Sequence, residues 1–295
     1  MARIKRFRPE YQKIDKAIRE NISTTSGVRN KICPQAASFD FDELLIGSHI
    51  NKQRALQSLG TLGYGNHFFE IDVDDESDYY VSVHSGSRHL GKEVAEYYLA
   101  EGQKKLKARG EVIPYELTYL IGELMKDYLH DIQIVQKYAC LNRRVIIEEV
   151  GKIMKWKIEG VIDCIHNYVD FRTKLPILRK GAISAKEDEL VIIPINMRDG
   201  VIIGRGKGNA DWNNSAPHGA GRILKRVDVQ NQHTLSEFRS TMKGIYSTSI
   251  TKDTLDESPF AYRGLADIVE AIADTVEIGK IIRPVYNFKA GSIKR

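Results

Sequence analysis

Apolar residues recur along the chain at two different periods, and the switches between them divide it into predicted elements. Residues 9–21 place Tyr11, Ile14 and Ile18 at helical intervals, and Ser23-Thr24-Thr25-Ser26-Gly27 closes the run as a loop. This predicts one helix with nothing before it. A second short helix is expected from Ile50 to Leu59, ending at Gly60. The period then shortens: His67 to Val73 and Tyr79 to His84 read as strands, and the acidic link Asp74-Asp75-Glu76-Ser77 predicts a β-hairpin with a four-residue turn. Residues 91–155 read as largely helical, interrupted near Arg109-Gly110 and Pro114. Strand-like runs follow at Val161 to Val169, Ile177 to Ser184, Leu190 to Ile195 and Val201 to Gly204, the last two joined by a turn at Arg198-Asp199-Gly200. After a glycine cluster from Gly204 to Gly208, the segment Ser215 to Arg222 leads into helices expected to run to about Gly279. With no repeat or linker in view, the predicted fold class is α+β: a single compact domain with mixed or antiparallel sheets flanked by helices.

Composition narrows the class. The chain has 295 residues, 42% hydrophobic and 28% charged, which excludes disorder, collagen and coiled coil. Apolar residues never run long enough to cross a bilayer, and the charged start Met1-Ala2-Arg3-Ile4-Lys5-Arg6 has no apolar stretch behind it. A cytoplasmic protein with no membrane partner is expected. Three cysteines at unrelated spacings (Cys33, Cys140, Cys164) argue against a disulfide framework. Lys plus Arg exceed Asp plus Glu by five, which mildly favours polyanions.

The histidines carry the candidate chemistry. With a four-residue turn, hairpin partners sum to 151, so His67 and His84 stand opposite each other, close enough to share a metal ion. The alternative is two histidines at sheet ends with no joint role. His166 shares a strand face with Ile162 and Cys164 and is expected to be buried, either as a hydrogen-bonded core residue or, with Asn167 beside it, as part of a site. Three neutral imidazoles suit zinc or manganese, and added oxygen ligands favour manganese. His218 stands in Pro217-His218-Gly219-Ala220-Gly221-Arg222, read as leading straight into a helix with Lys225 and Arg226. Glycine backbone, a helix N-terminus and arginine forks together suit phosphate, and a histidine against phosphate can act as acid, base or nucleophile. The plain alternative is a flexible capping loop. Arg88, Arg179-Lys180-Gly181 and Lys289, after the aromatic pair Tyr286 and Phe288, are either site cations or solvated surface.

Taken in order, these motifs resemble one family. Leu62-Gly63-Tyr64-Gly65-Asn66-His67-Phe68-Phe69-Glu70, His84-Ser85-Gly86-Ser87-Arg88, His166-Asn167-Tyr168-Val169, Arg179-Lys180-Gly181-Ala182 and His218-Gly219-Ala220-Gly221-Arg222 follow the order and approximate spacing of the RtcB RNA ligases. The resemblance implies a GTP- and manganese-dependent ligase that joins an RNA 3′-phosphate or 2′,3′-cyclic phosphate end to a 5′-hydroxyl end, in tRNA splicing or RNA repair. Its partners would be GTP and RNA, as tRNA halves or broken RNA. Carried over residue by residue, His67, His84 and His166 match the metal-binding histidines, and His218 matches the guanylated histidine. Asn66, Glu70, Asn167, Pro194, Ile195, Asn196, Met197, Gly219, Ala220, Gly221 and Lys289 match positions that hold the guanine nucleotide. Arg88, Arg222 and Arg226 resemble the arginines that hold RNA phosphates.

Three departures stand out. The family's Asp-x-Gly-Cys-Gly-Met segment, which supplies an aspartate and a cysteine to the manganese pair, is absent, so residues 1–295 are expected to be an N-terminally truncated ligase domain. Cys33, in Lys31-Ile32-Cys33-Pro34, has no acidic partner two or three residues before it. Pro194-Ile195-Asn196-Met197-Arg198-Asp199-Gly200 replaces the commoner Pro-Gly-Ser-Met-Gly, and Leu224-Lys225-Arg226 replaces Met-Ser-Arg. Two other readings remain: a catalytically impaired nucleotide- or RNA-binding remnant or part of a split ligase, and a three-histidine metallohydrolase acting on phosphoesters.

Overall fold

The computed structural model describes residues 1–291. Contacts group them into two compact units interleaved in sequence: the first takes residues 1–26, 62–84 and those from 147 onward, the second 27–61 and 85–146. The class is α+β, with every paired strand antiparallel to its neighbour.

The first unit is built on a seven-stranded sheet in the order β4 (Lys157–Glu159), β1 (Ala2–Lys5), β3 (Tyr79–His84), β2 (Phe68–Val73), β11 (Val276–Phe288), β9 (Gly200–Gly206), β8 (Leu190–Asn196). Strand β1 (Ala2–Lys5) precedes helix α1 (Tyr11–Asn21), so the expectation of nothing before that helix is corrected. Four residues are too few to show a period, yet Ala2 and Ile4 are buried and Arg3 and Lys5 exposed, the alternation of a half-buried strand. β1 pairs with β3 (Tyr79–His84) on one side and β4 (Lys157–Glu159) on the other. Helix α1 buries Ile14, Ala17 and Ile18, the face its spacing predicts.

The hairpin of β2 (Phe68–Val73) and β3 forms where expected but with a different register. Val73 faces Tyr79 and Phe68 faces His84, so partners sum to 152 and His67 is not paired with His84. The cause is Asp74: its carboxylate accepts the N–H groups of Glu76 and Asp78, and Ser77 turns left-handed at φ 64°, giving a loop of five residues rather than four.

The larger correction concerns the C-terminal region. Residues 276–288 form β11 (Val276–Phe288), a 13-residue strand lying between β2 and β9 (Gly200–Gly206), where helix was expected to Gly279. Its register against β2 shifts between Pro284 and Tyr286, which accommodates the proline's missing N–H. β8 (Leu190–Asn196) turns back into β9 as predicted; at Gly200 the φ is 84° and a Cβ would lie 2.0 Å from the Ile282 carbonyl oxygen, so only glycine fits. Ile193, Ile202 and Val276 pack with Ile268 and Ile272 beneath this sheet, the last two in and beside α7 (Leu265–Ala271).

The predicted strand 161–169 is mostly irregular: only β5 (Asn167–Asp170) forms, against β6 (Ile177–Lys180). Gly181, at φ 64°, then redirects the chain into β7 (Ala182–Ser184), which pairs with β10 (Ser215–Pro217) in a separate ribbon. Short helices α5 (Arg226–Gln232) and α6 (Leu235–Thr241) precede α7.

The second unit contains α2 (Lys52–Ser58), α3 (Arg88–Ala108) and most of α4 (Gly122–Met154), close to the helical stretches predicted. Leu59, Leu90, Val94, Tyr98, Tyr138 and Val145 form its core, and Cys33 is buried there as a packing residue. Buried Asp131 accepts from Tyr98 Oη and the Leu45 and Ile46 N–H groups, so its charge is satisfied. Among the described residues no helix is long and apolar enough to cross a membrane.

Candidate functional site

Strand alternation places Phe68, Glu70 and Asp72 of β2 on the same face as Tyr80, Ser82 and His84 of β3, while Phe69, Ile71 and Val81 on the other face are fully buried. Polar residues on a buried strand face need partners. Here they begin a site.

His67 immediately precedes β2 and is free of its alternation, so its ring reaches that of His84 despite the shifted register, with centroids 5.5 Å apart. The His166 ring lies 5.3 Å from that of His84, and the two Nε2 atoms are 3.3 Å apart. Burial, followed by the neighbouring His67 and His166, holds the His84 pKa well below its ordinary value, so the imidazole is neutral with a lone pair to share. The geometry fits a shared first-row cation: two nitrogens about 2.1 Å from one tetrahedral ion stand roughly 3.4 Å apart.

His218 follows β10. Its ring stacks on His166 at 4.3 Å, and its Nδ1 lies 2.7 Å from the Gly181 carbonyl oxygen. A carbonyl can only accept, so Nδ1 carries the proton and Nε2 keeps the lone pair. Asn167, expected among nucleotide contacts, accepts the Gly181 N–H at 3.0 Å and so secures the residue that secures His218. Gly219 passes so close to Pro194 that a Cβ would lie 2.9 Å from its oxygen, and the Ala220 N–H donates to the same carbonyl. The expectation that the glycine motif opens directly into a helix is corrected: residues 219–225 are irregular and α5 starts only at Arg226. Any phosphate held here would therefore meet glycine backbone and arginine side chains, without a helix dipole.

His84 and His218 border a cavity of about 360 Å³ lined also by Asn66, Phe68, Glu70, Pro194 to Met197, Gly219 to Arg222, Arg226, Glu257, Tyr262, Asn287 and Lys289. One wall is cationic. Arg222 donates to the Asp256 carbonyl at 2.7 Å and lies 3.4 Å from Glu257; Arg226 pairs with both Asp256 and Glu257; Lys289 Nζ is 3.8 Å from Glu257. Lys289 is buried over the Phe68 ring, and burial lowers its pKa. Opposite in charge is the pair on β2. Burial pushes Glu70 up to about 7 despite hydrogen bonds from Asp72 and Asn287, and burial, with Glu70 beside it, raises Asp72 well above its ordinary value. Asp72 is thus the protonated member, donating to Glu70 and accepting from Ser82 at 2.8 Å.

Most of the sequence-predicted residues converge here. Asn196 lines the cavity while capping its own turn, its Oδ1 accepting the Arg198 and Asp199 N–H groups. Ile195 and Met197 turn their side chains into apolar cores. Arg88 belongs to the second unit, where its Nε donates to Thr61 Oγ1 at 3.0 Å. Glu257, Asp256, Tyr262 and Asn287 were not singled out from the sequence; the signal was two acidic residues inside the otherwise apolar run Leu255 to Tyr262, which buries charge only with partners. The carboxylates of Asp74, Glu76 and Asp78 also cluster, yet against its burial Asp74 is held at about 2 by Lys280, the Asp78 N–H and Tyr80, and that group organises the hairpin. Burial raises the Cys164 thiol pKa, away from a ligating thiolate.

The RtcB family profile, described as tRNA-splicing ligase RtcB, matches residues 10–290. The chain is 32% identical over 251 residues to the RNA-splicing ligase RtcB of Escherichia coli K12, covering 78% of this chain and 61% of that one. It is 31% identical over 305 residues to the tRNA-splicing ligase RtcB of Nanoarchaeum equitans, covering 85% and 63%, and 28% identical over 292 residues to that of Pyrococcus furiosus, covering 79% and 30%. The chain thus spans about three fifths of the first two relatives. Residues of the Asn66–Glu70 motif, His84 and the His218–Arg222 motif line one cavity in the first unit, and the family profile runs across nearly the whole length: the chain belongs to the RtcB family of RNA-splicing ligases.

Proposed function

We propose that this chain is a GTP- and manganese-dependent RNA ligase domain, occupying residues 1–295, that joins 3′-phosphate or 2′,3′-cyclic phosphate ends to 5′-hydroxyl ends through a guanylated His218. The observation that carries this reading is the tautomer of His218. Its Nδ1–H is committed to Gly181, leaving Nε2 as a nucleophile beside a cavity with a cationic wall.

In this reading Nε2 attacks the α-phosphorus of GTP, a P–N bond forms and pyrophosphate leaves with the electrons of the broken P–O bond. Glycines 219 and 221 let the nucleotide approach the backbone, and Arg222, Arg226 and Lys289 supply positive charge to the phosphates. Glu70, which lines the cavity, would accept from a guanine edge. The RNA 3′-phosphate then takes GMP from His218, and the 5′-hydroxyl displaces GMP as the phosphodiester forms. His67, His84 and His166 would hold manganese, which neutralises phosphate charge as a Lewis acid when bound.

The test is labelling with α-phosphate-labelled GTP and manganese. Label is expected on the wild-type chain and lost in His218→Ala; equal labelling of the two removes the assignment. The chain covers about three fifths of the relatives' length, and a second reading is a nucleotide- or RNA-binding remnant or part of a split ligase. Ligation of a 3′-phosphate RNA by the purified chain separates the two.

A further inference from the structure

Tyr64 stands out from its surroundings. In Thr61-Leu62-Gly63-Tyr64-Gly65 every residue is buried except Tyr64, which is 51% exposed. Its ring makes no hydrogen bond and no ring contact among the described residues. A mobile surface loop would explain an exposed tyrosine, but this loop is pinned: the Leu62 N–H donates to the Ser23 carbonyl at 2.9 Å, and Gly65 holds φ 70°. The pin also fixes what lies next to it. A Cβ at Gly65 would be 3.2 Å from Arg226 Nη2 and 3.7 Å from Glu257 Oε1, so the backbone bearing Tyr64 abuts the cationic wall. Consecutive Cα atoms are about 3.8 Å apart, so the Tyr64 Cα lies within roughly 9 Å of that guanidinium, a span one nucleotide can bridge. Ile223 (56% exposed) and Val227 (64% exposed) flank Arg226 in sequence, with Lys225 exposed beside it.

We propose that Tyr64 is a stacking platform for the base of the 3′-terminal nucleotide of the RNA, its 3′-phosphate being held by Arg226. This rests on the ligase reading above. A rigid aromatic face adjacent to an exposed guanidinium is the pairing that binds single-stranded nucleic acid, with the cation on the phosphate and the ring on the base. An apolar peptide has no group for Arg226, and a free phosphate has none for Tyr64. The RNA end that must reach His218 carries both.

The experiment uses a short single-stranded RNA ending in a 3′-phosphate with 2-aminopurine as its last base. Wild-type chain is expected to quench its fluorescence; Tyr64→Ala is expected to bind about tenfold more weakly without quenching, and Tyr64→Phe and Tyr64→Trp to retain both. An oligonucleotide abasic at the last position should bind wild type as weakly as the intact one binds Tyr64→Ala, with no further loss when the two changes are combined. The same RNA ending in a 3′-hydroxyl should lose the contribution of Arg226. Equal binding of intact and abasic RNA by wild type, or unchanged binding by Tyr64→Ala, overturns the proposal. Labelling by GTP in the absence of RNA is read in parallel: loss of that label from wild type defeats the ligase chemistry, whereas a Tyr64-independent RNA affinity with labelling intact defeats only the platform.

Discussion

The Nδ1 of His218 sits 2.7 Å from the carbonyl oxygen of Gly181, and that glycine has φ 64°. The tautomer of His218, the proposed nucleophile, therefore depends on a carbonyl presented by a left-handed residue between two strands. A Cβ on Gly181 would meet His218 Cε1 and Nδ1 at 3.6 Å, ordinary contact, so Gly181→Ala is limited by backbone strain rather than space. We expect it to lower stability by about 1–2 kcal/mol. Guanylation should persist at reduced rate. Urea titration alongside GTP labelling checks both, and an unchanged midpoint would show that the left-handed turn is not held there.

Manganese binding should depend on all three histidines. The 3.3 Å separation of the His84 and His166 Nε2 atoms is pre-set, and neutral His84 needs no proton removed at pH 7. Titration followed by manganese electron paramagnetic resonance is expected to give one tight site, weakened at least tenfold by His84→Ala or His166→Ala. Affinity should fall on acidification as the imidazoles protonate. Two tight ions per chain would mean that donors outside this trio complete a second site.

Hydrophobic period was sufficient for α1 to α4, the β2–β3 hairpin and the β8–β9 turn, because each is a local pattern closed by local turn chemistry. β11 was not readable that way: its residues pack between β2 and β9, partners about 215 and 75 positions earlier by the sequence numbering, and a central strand's burial is decided by them. The site shows the same division. His67, His84, His166 and His218 were visible as motifs, whereas Glu257, Asn287 and the Asn167–Gly181–His218 chain exist only through contacts between distant segments. The shifted hairpin register shows the limit within a motif: one additional loop residue, selected by the Asp74 carboxylate, changed His84's partner from His67 to Phe68.

Asp72 and Glu70 make stability depend on pH with a definite sign. Both fold with raised pKa, so the native state keeps protons that the unfolded chain releases. Stability from this pair is fully present below the unfolded carboxylate range and is lost as pH rises through about 7. At 1.36 kcal/mol per pKa unit the loss for Glu70 is about 3 kcal/mol. Asp72→Asn keeps a donor to Glu70 while removing the second acid. The variant's melting temperature is expected to match wild type near pH 3, below the unfolded carboxylate range, and to exceed it by several degrees at pH 8. Parallel melting curves with the same slope against pH would rule out this pair as the source.

Glu257 is the common anchor of the cationic wall. Its side chain, 2% exposed, meets Arg222, Arg226, Lys289 and the Tyr262 hydroxyl. Glu257→Gln keeps the size and one acceptor but removes the charge, leaving Arg226 to Asp256, Arg222 to the Asp256 carbonyl and Lys289 to the more distant Glu70. Breaking a buried ion pair from one side typically costs about 3–5 kcal/mol; because Arg226 is half exposed, a loss of about 3 kcal/mol is expected here. The freed guanidiniums should also bind phosphate more readily, so millimolar pyrophosphate is expected to restore part of the lost stability in the variant and to do less for wild type. Urea unfolding of both proteins with and without pyrophosphate measures this. A variant as stable as wild type, or one indifferent to pyrophosphate, would mean that the arginines are held by Asp256 and the backbone rather than by Glu257.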